Sequence, residues 1–332
     1  MHAVVLVGGF GTRLRPLTND VPKPMLPVGN RPMIVRLAER LAAGGVTDIV
    51  LALGFKPDVF RAAFPGDVVA GPSGPVRLHY AVEPEPLDTA GAIRFAADAA
   101  GIDGTFVVAN GDIMTSLEIS SLVDFHRERG VEATIHLTPV ADPSAFGVVE
   151  VGSDGKVLRF VEKPAPGETE SNTINAGTYV FEPSVLDRIE PGRRVSVERE
   201  TFPALVADGA LAAVATNDSW IDTGRPELYR AANLDLIQVE GEAVVIAASA
   251  VIDPSADVVN SVIGEGVTIG SGATVIDSVI LPGARIGAHA RIEASLVWGA
   301  VADDVALTEC VIGRDAVVSG GPLSGRRIPE PD

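Results

Sequence analysis

The stretch Ala3-Val4-Val5-Leu6-Val7-Gly8-Gly9-Phe10-Gly11-Thr12-Arg13 decides the reading of the first part of the chain. Its aliphatic run is uninterrupted and stops at glycine, the pattern of a buried parallel strand. Glycines after a strand let backbone N–H groups approach phosphate oxygens and bend where side chains cannot. The loop is not a P-loop, because the Gly-Lys-Ser/Thr ending is absent, and it is not the dinucleotide fingerprint, because the third glycine is missing. Taken alone, it is equally well explained as a structural turn.

Working outward, strand and helix signals alternate. Pro32 to Ala43 has helical spacing of apolar residues and ends at Gly44-Gly45. Strands are expected at Asp48–Leu53, Arg77–Val82, Phe106–Ala109 and Glu132–Pro139, and helices at Thr89–Ala100, with Asp88 or Thr89 near the N-cap, and Ser120–Arg129. This βαβ rhythm implies an α/β domain with a mixed, mostly parallel sheet and helices on both faces. Ligands of such sheets sit beyond the carboxyl ends of strands, which directs attention to the loops after Val7, Val82 and Ala109. A linking helix is expected over Arg225–Glu240.

The texture changes near residue 244. A shift of seventeen maps Ile252 to Ile269 to Ile286, Val258 to Val275 to Ile292, and Ile263 to Ile280 to Val297. Val301, Leu307 and Ile312 follow with a shorter step. This is a hexapeptide β-helix pattern, three short strands per coil with stacked aliphatic residues inside. A β-sandwich would not repeat at this spacing. The expected division is therefore a domain over 1–240, a β-helix over 244–319 and a loose Gly-, Pro- and Arg-containing tail over 320–332.

Of the 332 residues, 46% are hydrophobic, which gives ample material for a core and excludes a disordered chain. The formal charge of −18, from 26 basic and 44 acidic residues, argues against nucleic-acid binding through a general basic surface. Residues 1–40 are the exception: Arg13, Arg15, Lys23, Arg31, Arg36 and Arg40 face only Asp20 and Glu39. A locally positive cleft suits a small anion, although Arg31, Arg36 and Arg40 read as surface residues of the helix. Cys310 is the only cysteine, so no intrachain disulfide forms. Ala3–Val7 is too short for a signal h-region and no segment approaches a membrane span. A soluble, cytoplasmic protein is expected. His2, His79, His126, His136 and His289 have no close metal-ligand spacing and read as structural or surface residues.

The longer stretch Leu6-Val7-Gly8-Gly9-Phe10-Gly11-Thr12-Arg13-Leu14-Arg15-Pro16-Leu17-Thr18, followed by Pro22-Lys23-Pro24-Met25-Leu26-Pro27-Val28, resembles the signature of the sugar-1-phosphate nucleotidyltransferases. The resemblance runs on through Asn110-Gly111-Asp112, Phe146-Gly147-Val148-Val149, Val161-Glu162-Lys163-Pro164, Asn175-Ala176-Gly177-Thr178-Tyr179 and Trp220-Ile221-Asp222-Thr223-Gly224. Members with a C-terminal left-handed hexapeptide β-helix include the GDP-mannose pyrophosphorylases, and Leu6-Val7-Gly8-Gly9 is most similar to those. The resemblance implies a Rossmann-like nucleotidyltransferase domain. It also implies a reaction in which a sugar-phosphate oxygen attacks the α-phosphorus of a nucleoside triphosphate and pyrophosphate leaves. A phosphate dianion is already nucleophilic, so catalysis reduces to positioning and charge neutralisation.

By the same resemblance, Asp112 and Asp222 are expected to ligate Mg²⁺, whose preference is for hard carboxylate oxygens. Arg13 and Lys23 are expected to neutralise the triphosphate and the leaving group, which makes Arg13, Lys23 and Asp112 the expected catalytic residues. The nucleotide is expected to lie on Leu6, Gly8, Gly9, Gly11, Thr12, Arg13, Lys23, Glu83, Asp88 and Thr89. The sugar phosphate is expected on Asn110, Gly147, Glu162, Lys163, Asn175 and Gly177, with Lys163 on its phosphate. Lys56 and Lys156 are left as surface residues.

Relatives carry glycine where Asp88 stands. Its carboxylate clashes with a close backbone–base contact, caps the following helix or, like Glu83, accepts from the N1–H and N2 amino group of guanine, which favours GTP. Mannose 1-phosphate leads as the acceptor. Glucose 1-phosphate with thymidylyl or adenylyl transfer, and a heptose or cyclitol phosphate, remain alternatives. A non-catalytic regulatory subunit is disfavoured because Arg13, Lys23, Asp112, Lys163 and Asp222 are all present. A hexapeptide acyltransferase is disfavoured by a short β-helix with His289 as the lone candidate base. A homo-oligomer, dimer or tetramer, assembled through the β-helix is expected.

Overall fold

The computed structural model describes residues 1–54, 57–72 and 74–331; Lys56 lies outside them. The chain forms two compact units, one from Met1–Gly9 with Ile34–Trp220, the other from Phe10–Met33 with the chain from Ile221 onward. The signature stretch is thus divided between them after Gly9.

The first unit is built on a ten-stranded sheet. Its strands are β1 (His2–Leu6), β2 (Asp48–Leu53), β3 (Val68–Gly71), β4 (Gly74–Val82), β5 (Phe106–Asn110), β6 (Ala133–Pro139), β7 (Gly147–Val151), β8 (Val157–Glu162), β9 (Thr173–Phe181) and β10 (Leu211–Ala215). β4, β2, β1 and β5 run parallel side by side, and β10 is parallel to β6. β9 pairs antiparallel with β5, β6 and β7, β8 with β7, and β3 with β4. The sheet is mixed as expected, and its parallel centre is the part where helices connect the strands. The antiparallel half begins where β7, β8 and β9 follow one another through loops, with no crossover helix. β2 is buried at every residue, as a strand covered on both faces must be.

The helices are α1 (Met33–Ala43), α2 (Pro57–Ala63), α3 (Asp88–Ala100), α4 (Ile119–Arg129), α5 (Ser184–Asp187), α6 (Phe202–Ala207) and α7 (Pro226–Glu240). α3 and α4 each end on a left-handed glycine, Gly101 and Gly130, the stop signal for a helix C-terminus. Phe106, Tyr179, Phe181 and Phe202 form the aromatic centre of the core, with ring centroids 5.1–6.3 Å apart. No described helix is long and apolar enough to cross a membrane.

The second unit holds the β-helix. Three parallel sheets of six, five and five strands make its faces. The seventeen-residue step appears directly as register, with Ile263 beside Ile280, Ile269 beside Ile286 and Val275 beside Ile292. The arrangement is that expected of a left-handed hexapeptide helix. Ser261, Ser278 and Ser295 are fully buried at one corner, where each hydroxyl accepts the backbone N–H of the next coil. Cys310 completes the ladder by donating its N–H to Ser295, so the lone cysteine occupies a serine position.

The tail expectation is corrected. Leu323–Ser324 pairs with Leu307 and Thr308, and Arg327–Ile328 pairs with Val311 and Ile312. Residues 320–331 therefore build a further coil: Leu323 and Ile328 repeat Leu307 and Ile312 at a step of sixteen, and this apolar match outweighs the Gly-Pro composition.

The segment Phe10–Met33 packs into this same unit through polar ties. Asn233 on α7 is fully buried and accepts the Gly29 N–H at 3.0 Å. Tyr229 donates to the Pro27 carbonyl, and Asn30 Nδ2 donates to the Ile263 carbonyl at 3.0 Å.

Candidate active site

In the second unit, the signature folds into two 3₁₀ turns, Thr12–Leu14 and Lys23–Met25. Gly11 sits at φ 60°, where a side chain is strained, and a Cβ there would meet the Thr18 methyl at 3.0 Å and Lys23 Cβ at 3.3 Å. Thr18 fixes this bend by donating its hydroxyl to the Gly11 carbonyl at 2.8 Å. Lys23 is buried and its Nζ lies 3.2 Å from Asp222 Oδ1. The same oxygen accepts the Gly224 N–H at 2.9 Å. A Cβ on Gly224 would stand 3.0 Å from Asp222 Oδ1 and 3.1 Å from Arg13 Nη2, so Gly224 lies directly beside both the arginine and the carboxylate. Gly11, Thr12, Arg13, Lys23 and Asp222 are thus gathered in one unit, with two cations around one acid.

In the first unit, Leu6 ends β1 and its carbonyl accepts the Gly111 N–H at 2.9 Å. A Cβ on Gly111 would meet Val7 at 2.6 Å, which explains glycine between Asn110 and Asp112. Asp112 follows β5, half-buried, at the carboxyl end of the parallel strands. Gly8 and Gly9 follow β1; a Cβ on Gly8 would make only ordinary contacts, with Glu83 Oε1 and Gly54 N at 3.5 Å, and one on Gly9 would meet nothing within 4 Å. Neither position therefore needs glycine for space or for an unusual backbone angle.

Glu83 accepts the Leu87 N–H through Oε2 at 2.9 Å, and burial pushes its carboxyl above the usual range against that hydrogen bond. Asp88 has φ 61°, the left-handed region in which glycine is most at ease and aspartate tolerable. Asp88 Oδ1 accepts its neighbour's N–H, that of Thr89, at 2.9 Å, and Oδ2 lies 3.7 Å from Arg194 Nε. The Thr89 hydroxyl is committed within the protein, donating to Glu198 and accepting the Val197 N–H, each at 2.8 Å.

On the other side of the sheet centre, Gly147 opens β7, and a Cβ there would meet Phe160 at 2.6 Å and Glu162 Oε2 at 3.0 Å. Glu162 is half-buried; burial first, then the nearby Glu198, raise its pKa, while Lys163 and Arg199 oppose the rise. Lys163 stands at φ 52°, exposed, with Nζ 3.7 Å from Glu162 Oε1 and its own N–H donated to Phe146. Asn175 donates to the buried Tyr179 hydroxyl and accepts the Gly177 N–H, each at 2.9 Å. Gly177, at φ 76°, leaves the space that Asn110 Nδ2 occupies, since a Cβ would come within 2.6 Å of it. Trp220 Nε1 donates to the Ala176 carbonyl, and its ring meets Phe146 edge-on.

Glu198 was not signalled by any motif. It sits on the turn Val197–Thr201 behind the Ser196 cap, accepts the Thr89 hydroxyl at 2.8 Å and lies close enough to Glu162 to raise its pKa. A serine cap followed by acidic residues is legible as a helix start, but the direction of the Glu198 side chain is a tertiary fact. Among the described residues no three His, Cys, Asp or Glu side chains converge as a metal-binding group. His126 is buried between Thr134 and Glu182, and His136 is buried against Thr216.

The nucleotidyl transferase family matches residues 2–239, and the GMPPB C-terminal domain matches residues 240–323. A mannose-1-phosphate guanyltransferase of Aspergillus fumigatus is 43% identical over 272 residues, covering 78% of this chain and 73% of the relative. A mannose-1-phosphate guanylyltransferase of Mycobacterium tuberculosis is 44% identical over 240 residues, covering 72% of this chain and 65% of that one. Among solved structures, HddC from Yersinia pseudotuberculosis complexed with GMP-PN aligns with a TM-score of 0.59 at 29% identity, over 71% of this chain and 99% of HddC. A putative glucose-1-phosphate thymidylyltransferase from Bacillus anthracis aligns with a TM-score of 0.62 at 26% identity, over 70% of this chain and 94% of that one. With a family match over most of its length and relatives above forty per cent identity, the chain belongs to the nucleotidyl transferase family.

Proposed function

We propose that the protein transfers GMP from GTP to mannose 1-phosphate, releasing pyrophosphate and forming GDP-mannose. The observation that carries this reading is the likeness, at 42–45% identity, to a run of mannose-1-phosphate guanyltransferases. The GMP-PN complex of the similar HddC supports a guanine base.

In this reading Arg13 and Lys23 neutralise the triphosphate and the departing pyrophosphate. Gly8, Gly9, Gly11 and Thr12 offer backbone donors to it. Glu83 and Asp88 read the donor edge of guanine, with Thr89 beside them, its backbone N–H donated to Asp88. Glu162, Asn175, Asn110 and the backbone at Gly147 and Gly177 hold the sugar, with Lys163 on its phosphate. No side chain has to remove a proton, because the attacking phosphate oxygen is already anionic.

Members of the family act with a divalent metal, and we propose Mg²⁺ held by Asp112 and Asp222. The donor chemistry fits: both are carboxylates, and the hydrogen bonds described for Asp222 fall on Oδ1, so Oδ2 is the oxygen for a cation. Bound there, the ion would supply charge neutralisation at the phosphates. We further propose a cytoplasmic dimer or tetramer assembled through the β-helix, on which Val251 and Val317 are exposed aliphatic residues. A monomeric mass in light scattering at micromolar concentration contradicts the assembly.

The test is a pyrophosphate-release assay crossing GTP, ATP, UTP, CTP and dTTP with mannose, glucose and heptose 1-phosphates. Fastest turnover is expected with GTP and mannose 1-phosphate. Equal or faster turnover with another triphosphate rejects the base assignment, and with another sugar phosphate rejects the acceptor.

A further inference from the structure

Arg327 lies in the last coil of the β-helix, its backbone fixed by pairing with Val311. Its side chain reaches the signature: Nη1 donates to the carbonyl of Arg13 at 2.9 Å and approaches that of Arg15 at 3.5 Å. These carbonyls flank Leu14, which is fully buried, and they close the 3₁₀ turn Thr12–Leu14, where the Arg15 N–H returns to Thr12. Carbonyls at the end of such a turn lack internal donors, and a cation satisfies them best. The other end of the turn is held by Gly11 and Thr18. The turn is thereby tied at both ends, and between the ties it presents the Arg13 guanidinium beside Gly224 and Asp222.

Burial of Leu14 anchors the turn from one side, and the Arg327 tie adds a fixed direction to the carbonyls that flank it. Next to it lies a cavity of about 260 Å³, lined by Pro16, Leu17 and Val21 and by Trp298, Ile328 and Pro329. The turn's own residues do not line this cavity, and Leu14 within the turn is fully buried.

We propose that Arg327 is a positioning residue for nucleotidyl transfer: it holds the backbone at Arg13 and Arg15 so that the Arg13 guanidinium keeps its place against the triphosphate. The inference rests on the reading of Arg13 as a triphosphate-binding cation. The β-helix then contributes to the chemistry through its last coil.

The experiment compares R327A, R327K, R13A and the R13A/R327A double variant of the full chain. KM and kcat are measured separately for GTP and mannose 1-phosphate, alongside thermal melting. R327A is expected to lower kcat/KM for GTP by about 10- to 100-fold, the scale of a small misplacement of a binding group. The KM for mannose 1-phosphate is expected to stay within about two-fold, since only the Arg13 side is loosened. R327K should recover part of the loss, because an ammonium still donates to a carbonyl. The double variant should be no worse than R13A, because Arg327 acts through Arg13. An impaired R13A with wild-type R327A kinetics overturns the proposal. So does an R327A defect that adds fully to that of R13A, or one that falls equally on both substrates with a lowered melting point, as a merely structural residue would show. Wild-type turnover by R13A is a different outcome: it refutes the role of Arg13 itself, and this proposal falls with it.

Discussion

Replacing Gly11 by Ala separates the shape of the signature loop from its chemistry. Two costs act together. At φ 60° an L side chain is strained by about 1–2 kcal/mol. The added methyl also meets Thr18 Cγ2 at 3.0 Å and Lys23 Cβ at 3.3 Å. Thr18 is only 2% exposed and its hydroxyl is tied to the Gly11 carbonyl, so it cannot turn away, and overpacking of this kind costs about 1–3 kcal/mol. Alanine narrows the unfolded ensemble and returns about 0.5 kcal/mol. The net is a destabilisation of about 2–4 kcal/mol, a fall of roughly 5 °C or more in melting temperature. Gly9→Ala is the control: its Cβ meets nothing within 4 Å and its φ is ordinary, so stability should change by less than about 0.5 kcal/mol. Both variants should lose pyrophosphate release, Gly11→Ala because Lys23 is displaced and Gly9→Ala because a methyl stands where phosphate oxygens approach the backbone. A Gly11→Ala protein that melts with the wild type refutes the conformational argument; a fully active Gly9→Ala protein refutes the phosphate-cradle argument.

Other consequences follow from particular residues. Burial lowers the pKa of His136 to about 4, with Asp218 opposing from 4.0 Å. The unfolded chain takes up that proton near pH 6.5 and the native protein only near 4, so stability should fall by up to about 3 kcal/mol as pH drops through this window. His136→Gln should flatten that slope in denaturant titrations, and an unaltered slope would remove His136 as its source. Glu198→Gln removes the negative neighbour that adds to burial in raising the Glu162 pKa. If Glu162 must be ionised to hold sugar hydroxyls, the acidic limb of the kcat/KM profile should move to lower pH, and an unmoved limb would dissociate Glu162 from it. Truncation after Ser319 uncovers the buried Leu307, Ile312 and Val318 and should cost about 3 kcal/mol or more, against the near-neutral effect of removing a loose tail.

The sequence was most legible where one short period dominates. The aliphatic run before Gly8, the helix stop at Gly44-Gly45, and the seventeen-residue step of the β-helix each follow from local rules. The last coil was hidden because its step shortens to sixteen and its glycines and prolines resemble a tail. The antiparallel half of the sheet was hidden because β7 to β9 are ordered by pairing across the sheet, which no local pattern encodes. At the site, residue types were readable but their partners were not. Asp88 was visible as a candidate base reader, but its φ of 61° is set by the loop around it and no local pattern shows it. Glu198 has no motif of its own, and its importance comes from meeting Thr89, which lies more than a hundred positions away.

In the proposed reaction a phosphate oxygen of the sugar phosphate becomes the bridge to the nucleotide. Mannose 1-phosphate labelled with ¹⁸O in its phosphate, incubated with GTP and Mg²⁺, tests it most directly by mass spectrometry of the products. All label is expected in GDP-mannose and none in pyrophosphate, with the two products formed in equal amounts. Label in pyrophosphate, or GTP consumed to GMP or GDP without a nucleotide sugar, would contradict it.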